Sequence, residues 1–129
     1  MTCPCKSSKN YTDCCGIAHS NIKDVKNAEQ LMRSRYSAFA LGDSNYLHIS
    51  HHPSTRPNSK REREANIKWA KSVVWSNLQI LDTLAGQDTD SNGIVEFKAF
   101  YIENGQMQVI HERSTFEKVA GIWLYKDAI

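Results

Sequence analysis

The stretch IVEFKAFYIENGQMQVIHERSTF, residues 94–116, limits the folds open to this chain more than any other. Its centre, Asn104-Gly105, is the strongest two-residue hairpin signal, because both central residues of a type I′ turn need positive φ. Apolar and polar residues alternate on either side, as a half-buried strand requires. A two-residue turn fixes the register. Ile102 then faces Met107, Phe100 faces Val109, Lys98 faces His111, and Glu96 faces Arg113 as a cross-strand ion pair. The opposite face carries Phe97, Ala99 and Tyr101 against Glu112, Ile110 and Gln108. Both faces mix apolar and charged groups. A one-residue slip exchanges them, so the pattern leaves open which one lines a concave interior.

The rest of the chain completes a helices-then-strands order. WSNLQILDTLA (75–85) alternates as a strand, QDTDSNG (87–93) is a turn, and Ala120-Gly121 leads into IWLYK. Before residue 73 the period is helical. Asn27 reads as an N-cap with Gln30 three residues on, Leu31, Met32, Tyr36 and Phe39 share a face, and Gly42 suits a C-cap. Asp43 caps a short helix through Tyr46, Leu47 and Ile49, the prolines of HHPSTRPNS end it, and Ser59 caps KREREANIKWAKS. Ile17–Lys26 reads as a linker or short helix. About three helices followed by about four antiparallel strands predict an α+β fold, with the helices packed on one face of a curved sheet.

Composition bounds the function classes. The chain has 129 residues, 40% of them hydrophobic, enough for one domain with its own core. Sixteen Lys+Arg against 14 Asp+Glu leave a net charge of +2, which argues against a dedicated DNA binder. No apolar run approaches the roughly 20 residues of a membrane span, and no apolar segment follows a basic start. A cytoplasmic protein with reduced thiols is expected.

All four cysteines lie within TCPCKSSKNYTDCCG, as C-x-C-x8-C-C. Two disulfides are one reading, but Cys14 and Cys15 are neighbours and pair only with strain. Four thiolates around one structural Zn²⁺ is the favoured reading: Cys3, Cys5, Cys14 and Cys15, with Lys6 and Lys9 offsetting part of the charge.

The same stretch resembles the SEC-C motif, named for the zinc-binding C-terminus of the SecA translocation ATPase. Cys3, Pro4, Cys5, Ser7, Lys9, Tyr11, Cys14 and Cys15 fit its pattern, and Lys6 stands where Gly is frequent. Further on, AEQLMRSRYSAFALGDSNYL, HPSTR, VEFKAFY, HERSTF and WLY together resemble the YchJ-like family of small bacterial proteins. That resemblance implies a zinc knuckle at 1–18 and, at 27–129, a nuclear transport factor 2-like (NTF2-like) domain, a cone of helices over a bent sheet. Longer family members carry a second SEC-C motif, whereas no cysteine follows Cys15 here. The resemblance implies no reaction.

Two functions follow as expectations. One is an interaction module whose knuckle, with Lys6, Lys9 and Lys23, meets a protein or ribonucleoprotein partner, by analogy with the chaperone-binding motif of SecA. The other is a small-molecule pocket in the cone, with Arg33, Tyr36, His52, Arg56, Glu96, His111, Glu112 and Arg113 as candidate lining. His111, Glu112 and Arg56 are its candidates for proton transfer. A buried structural network is the competing account of those same residues. Other features carry less. DTDSNG imitates an EF-hand start, but Ala99 occupies the place of the required Glu, so a turn is expected. His51-His52 is a poor metal pair, because adjacent extended residues point apart. KREREAN reads as a solvated helix face, and Trp69, Trp75 and Trp123 as core.

Overall fold

A computed structural model of the chain describes all residues, 1–129. It has four helices, α1 (Cys15–Ser20), α2 (Ala28–Leu41), α3 (Ser44–Ile49) and α4 (Lys60–Ser72), and then four strands. These are β1 (Val74–Ala85), β2 (Asn92–Glu103), β3 (Gln106–Val119) and β4 (Ile122–Ala128), paired as an antiparallel meander in the order β1-β2-β3-β4. No helix is long and apolar enough to cross a membrane.

Local chemistry sets the element ends. The Asn27 side chain accepts from Gln30 N at 2.9 Å, and the Gln30 side chain reaches back to Lys26 N at 2.7 Å. This is a capping box displaced by one residue on its return arm. Asp43 caps α3 through Tyr46 N, and Ser59 caps α4 through Glu62 N. Asn104 and Gly105 take φ of +52° and +76°, the two positive values that a type I′ turn demands. The register is the one the turn implies, with Ile102, Phe100, Lys98 and Glu96 opposite Met107, Val109, His111 and Arg113. Arg113 meets Glu96 at 3.1 Å.

Extra residues in β1, Ser76 and Leu81, and in β4, Lys126 opposite Thr115/Phe116, shift the register and bend the sheet around α2. The concave face carries Leu78, Val95, Phe97, Ala99 and Phe116, all buried. Glu96, Lys98, His111 and Arg113 therefore lie on the convex face. Residues 50–52 run along β4, with His52 N donating to Tyr125 O and Tyr125 N to Ser50 O, and so cover part of that edge. Trp123 is core, 1% exposed. Trp69 and Trp75 are only half-buried. They stack with Tyr36, Phe39 and Tyr101 at centroid distances of 5.2–5.8 Å and close one end of the cone.

α2 is buried on more than its apolar face. Beside Leu31, Met32, Tyr36 and Ala38 it buries Ser34, Arg35 and Ser37. The apolar stripe packs toward the sheet, while the serine face lies under the N-terminal knuckle. Residues 17–26, read from sequence as linker or short helix, continue α1 and form a further short helical turn, Ile22–Asp24.

Candidate metal centre

The sulfur atoms of Cys3, Cys5, Cys14 and Cys15 all lie within 4.8 Å of one another. Sulfurs placed tetrahedrally about 2.3 Å from an ion would be ~3.8 Å apart. Cys5 and Cys14 Sγ already stand 3.6 Å apart. The donor set fits a metal with small adjustments. Cys3, Cys5 and Cys15 are buried and Cys14 is half-exposed, so three ligands face the protein and one faces its rim.

Short-range structure brings them together. Cys3 N donates to Lys9 O and Lys6 N to Cys3 O, folding the first pair into a tight loop. Lys6 and Ser8 take φ of +65° and +72°, so the position where glycine is frequent in this motif is indeed left-handed. A helical turn at Tyr11–Asp13 then delivers Cys14 and Cys15. Gly16 makes that turn possible, since a Cβ there would sit 2.6 Å from Tyr11 O. Gly16→Ala is expected to push α1 off the knuckle, cost about 2–3 kcal/mol, and weaken metal retention in chelator competition. Unchanged retention would show that the close approach is dispensable.

The sulfurs also set each other's protonation. Hydrogen bonds from Cys15, then Ser7, Cys3 and Cys14, stabilise a Cys5 thiolate against the cost of burial and pull its pKa far down. The same charge pushes Cys15 up, and burial first of all raises Cys14. The four sulfurs therefore favour negative charge on Cys5 over its neighbours. A divalent cation displaces the remaining protons.

The knuckle is fastened to α2. Arg33 Nη1 donates to Cys5 O at 3.1 Å, and its Nε meets Glu29 at 3.0 Å. Burial works against the Arg33 charge, but Glu29 and the Cys5 thiolate outweigh it and raise its pKa. Ser37 Oγ lies 3.6 Å from Cys3 Sγ. His19, on α1, bridges the two parts. Its Nε2 stands 2.8 Å from Ser34 O and its Nδ1 2.7 Å from the Tyr11 hydroxyl. A carbonyl only accepts, so Nε2 donates to it, and in the neutral ring Nδ1 then accepts from Tyr11. Cys3, Cys5 and Cys15 belong to the same buried cluster as Leu31, Phe97 and Trp123, so knuckle and cone share one core. Sequence reasoning missed His19. Its only signal was a position four residues after Cys15, on the helix the second cysteine pair begins.

The eight pocket candidates do not converge. Arg33 sits at the knuckle. Tyr36 is buried beneath Trp75, its hydroxyl without a partner. His52 is in the loop along β4, its Nδ1 accepting from Ser54, and Arg56 follows in the same loop. Glu112 faces inward and accepts from Tyr125. Glu96, His111 and Arg113 form a network on the convex face, with His111 Nε2 2.7 Å from Glu96 and Arg113 also reaching Asp82. The candidate acid-base pair, His111 and Glu112, is thereby split between opposite faces of the sheet. DTDSNG is a hairpin connection, as expected.

Known proteins place the chain. Residues 27–128 match the family model described as YchJ, middle NTF2-like domain. The chain belongs to the YchJ-like family. A UPF0225 protein of Vibrio parahaemolyticus is 42% identical to this YchJ-like chain over 126 residues, 98% of the chain and 73% of that protein. The solution structure of a SEC-C motif containing protein from Rhodopseudomonas palustris superposes with a TM-score of 0.79 at 33% identity. It covers 100% of this chain and 98% of its own. The crystal structure of another, from Psychrobacter arcticus, gives 0.77 at 28% identity, covering 98% and 81%. Family membership and the four-cysteine cluster together suggest a bound metal ion in this YchJ-like protein.

Proposed function

We propose that the protein is a zinc-stapled interaction module, and that the recognition surface is the knuckle together with the groove beside it. The observation that carries this reading is the seating of the knuckle on α2 through Arg33, Ser37 and His19. Seated so, it presents Lys6 and Lys9 outward. It also walls a groove of about 740 Å³ between itself, the start of α2 and the β1 end of the sheet. Charges of both signs rim the groove, Lys9, Lys26 and Arg33 beside Asp13, Asp24 and Glu29, over an apolar floor that includes Ile17, Val25 and Val95. Such a mixed rim suits a protein segment better than a uniformly anionic nucleic-acid backbone. Zn²⁺ is the ion proposed, because an all-cysteine tetrahedral set is a closed structural site for that metal.

Lys6→Glu with Lys9→Glu tests the surface. Charge reversal should abolish complementation of a deletion phenotype and the recovery of cross-linked partners, with metal content unchanged. His111→Ala, on the convex face, should leave both intact. The opposite pattern would move the function to the sheet. Recovery of RNA alone through the lysines would replace the protein partner by a ribonucleoprotein.

A further inference from the structure

Arg35 is the least expected charge in the molecule. It lies mid-helix in α2, 7% exposed, and none of the ion pairs in the structure includes it. Nη1 donates to Leu47 O at 2.9 Å and to Ser50 Oγ at 2.7 Å, and the guanidinium stacks 4.8 Å over the Tyr125 ring. Nε and Nη2 have no acceptor among the hydrogen bonds of the protein. Glu112 acts on it through space but forms no ion pair with it, accepting instead from the Tyr125 hydroxyl. An arginine buried without a direct ion pair costs stability unless something else supplies one.

Arg35 borders a cleft. The cleft measures about 150 Å³ and lies between α2, α3 and α4. Its polar lining is Arg35, Arg63, His48, His51, Ser44 and Asn66, and no carboxylate lines it. His48 Nδ1 is buried there without a hydrogen-bond partner. Arg56 adds a third positive charge close enough to act on both imidazoles. Phe39, Leu47 and Ile67 supply apolar walls. Burial first, then Arg35 and Arg56, hold the pKa of His51 down to about 4.

We propose that this cleft binds a small oxyanion, a phosphate or carboxylate group, with Arg35 as its buried anchor and Arg63, His48 and His51 as further donors. The volume suits such a group alone or as the terminus of a larger molecule reaching in from solvent. The site shares no residue with the knuckle or its groove and does not rest on their role.

The test is an NMR titration of the metal-loaded protein with inorganic phosphate and, in a second arm, acetate. It follows the Arg35 Nε–H and the imidazole signals of His48 and His51. Saturable shifts of these signals with phosphate are expected. Arg63→Gln, a change on the partly exposed side of α4, should weaken them about tenfold or more, the loss of one charge-assisted hydrogen bond. Saturation by acetate in place of phosphate supports the same oxyanion site and identifies carboxylate as its ligand. Arg35→Met should abolish the response. Should that variant fail to fold, Arg63→Gln carries the comparison. Shifts that never saturate at millimolar anion, or that saturate equally in Arg63→Gln, would overturn the proposal.

Discussion

Stripping the metal from the reduced protein with a chelator should lower the thermal midpoint by roughly 10–20 °C, not merely loosen the first residues. The reason is the shared core. Cys3, Cys5 and Cys15 are at most 3% exposed and cluster with Leu31, Phe97 and Trp123. An ion held a thousandfold above its dissociation constant contributes about 4 kcal/mol to the folded state. For a chain of this size each kcal/mol moves the midpoint by a few degrees. Without the ion, buried thiols must carry protons or an unneutralised charge, and the serine face of α2 loses its cover. The check is calorimetry before and after chelation, with readdition of metal. A midpoint unmoved by chelation would mean that the cysteines pack as plain thiols.

Phe116→Ala, a change in the sheet rather than in the knuckle, should have an effect as large. Phe116 is 1% exposed on the concave face of β3, against Tyr125 at 5.7 Å. Truncating a buried phenyl ring costs about 3–5 kcal/mol through lost transfer free energy and the cavity left behind. The mutant should also release its metal more readily, because knuckle and cone share one buried cluster and unfold together. The metal-loaded mutant should show one calorimetric transition, shifted down. Two transitions, the upper one still dependent on metal, would show the knuckle to be an independent unit.

Particular residues show what the sequence made legible. Asn104-Gly105 determined the β2–β3 register because the turn type admits one pairing. Asn27, Asp43 and Ser59 announced their helices because a cap is a local device, settled within four residues. The cysteine pattern announced the four-sulfur cluster, because its two close pairs are brought together by a short loop. What stayed hidden depends on long-range contacts. The burial of Ser34, Arg35 and Ser37 follows from the knuckle and α3 covering the polar side of α2, and no periodicity within α2 reports that. The scatter of the pocket candidates follows from which sheet face the helices cover. Alternation could not decide this, since Glu96 and Glu112 put a carboxylate on each face. Arg35 reads in sequence as one more helical arginine beside Arg33. Only its fold neighbours distinguish the two: Arg33 reaches Glu29 and the knuckle, and Arg35 reaches no carboxylate.

Native mass spectrometry of the protein purified under reducing conditions, beside Cys14→Ser, tests most directly whether one metal ion on four cysteines joins the knuckle to the cone. One zinc per chain, lost or sharply reduced in Cys14→Ser, is the predicted result. A metal-free chain with four titratable thiols, or with two disulfides, would contradict it.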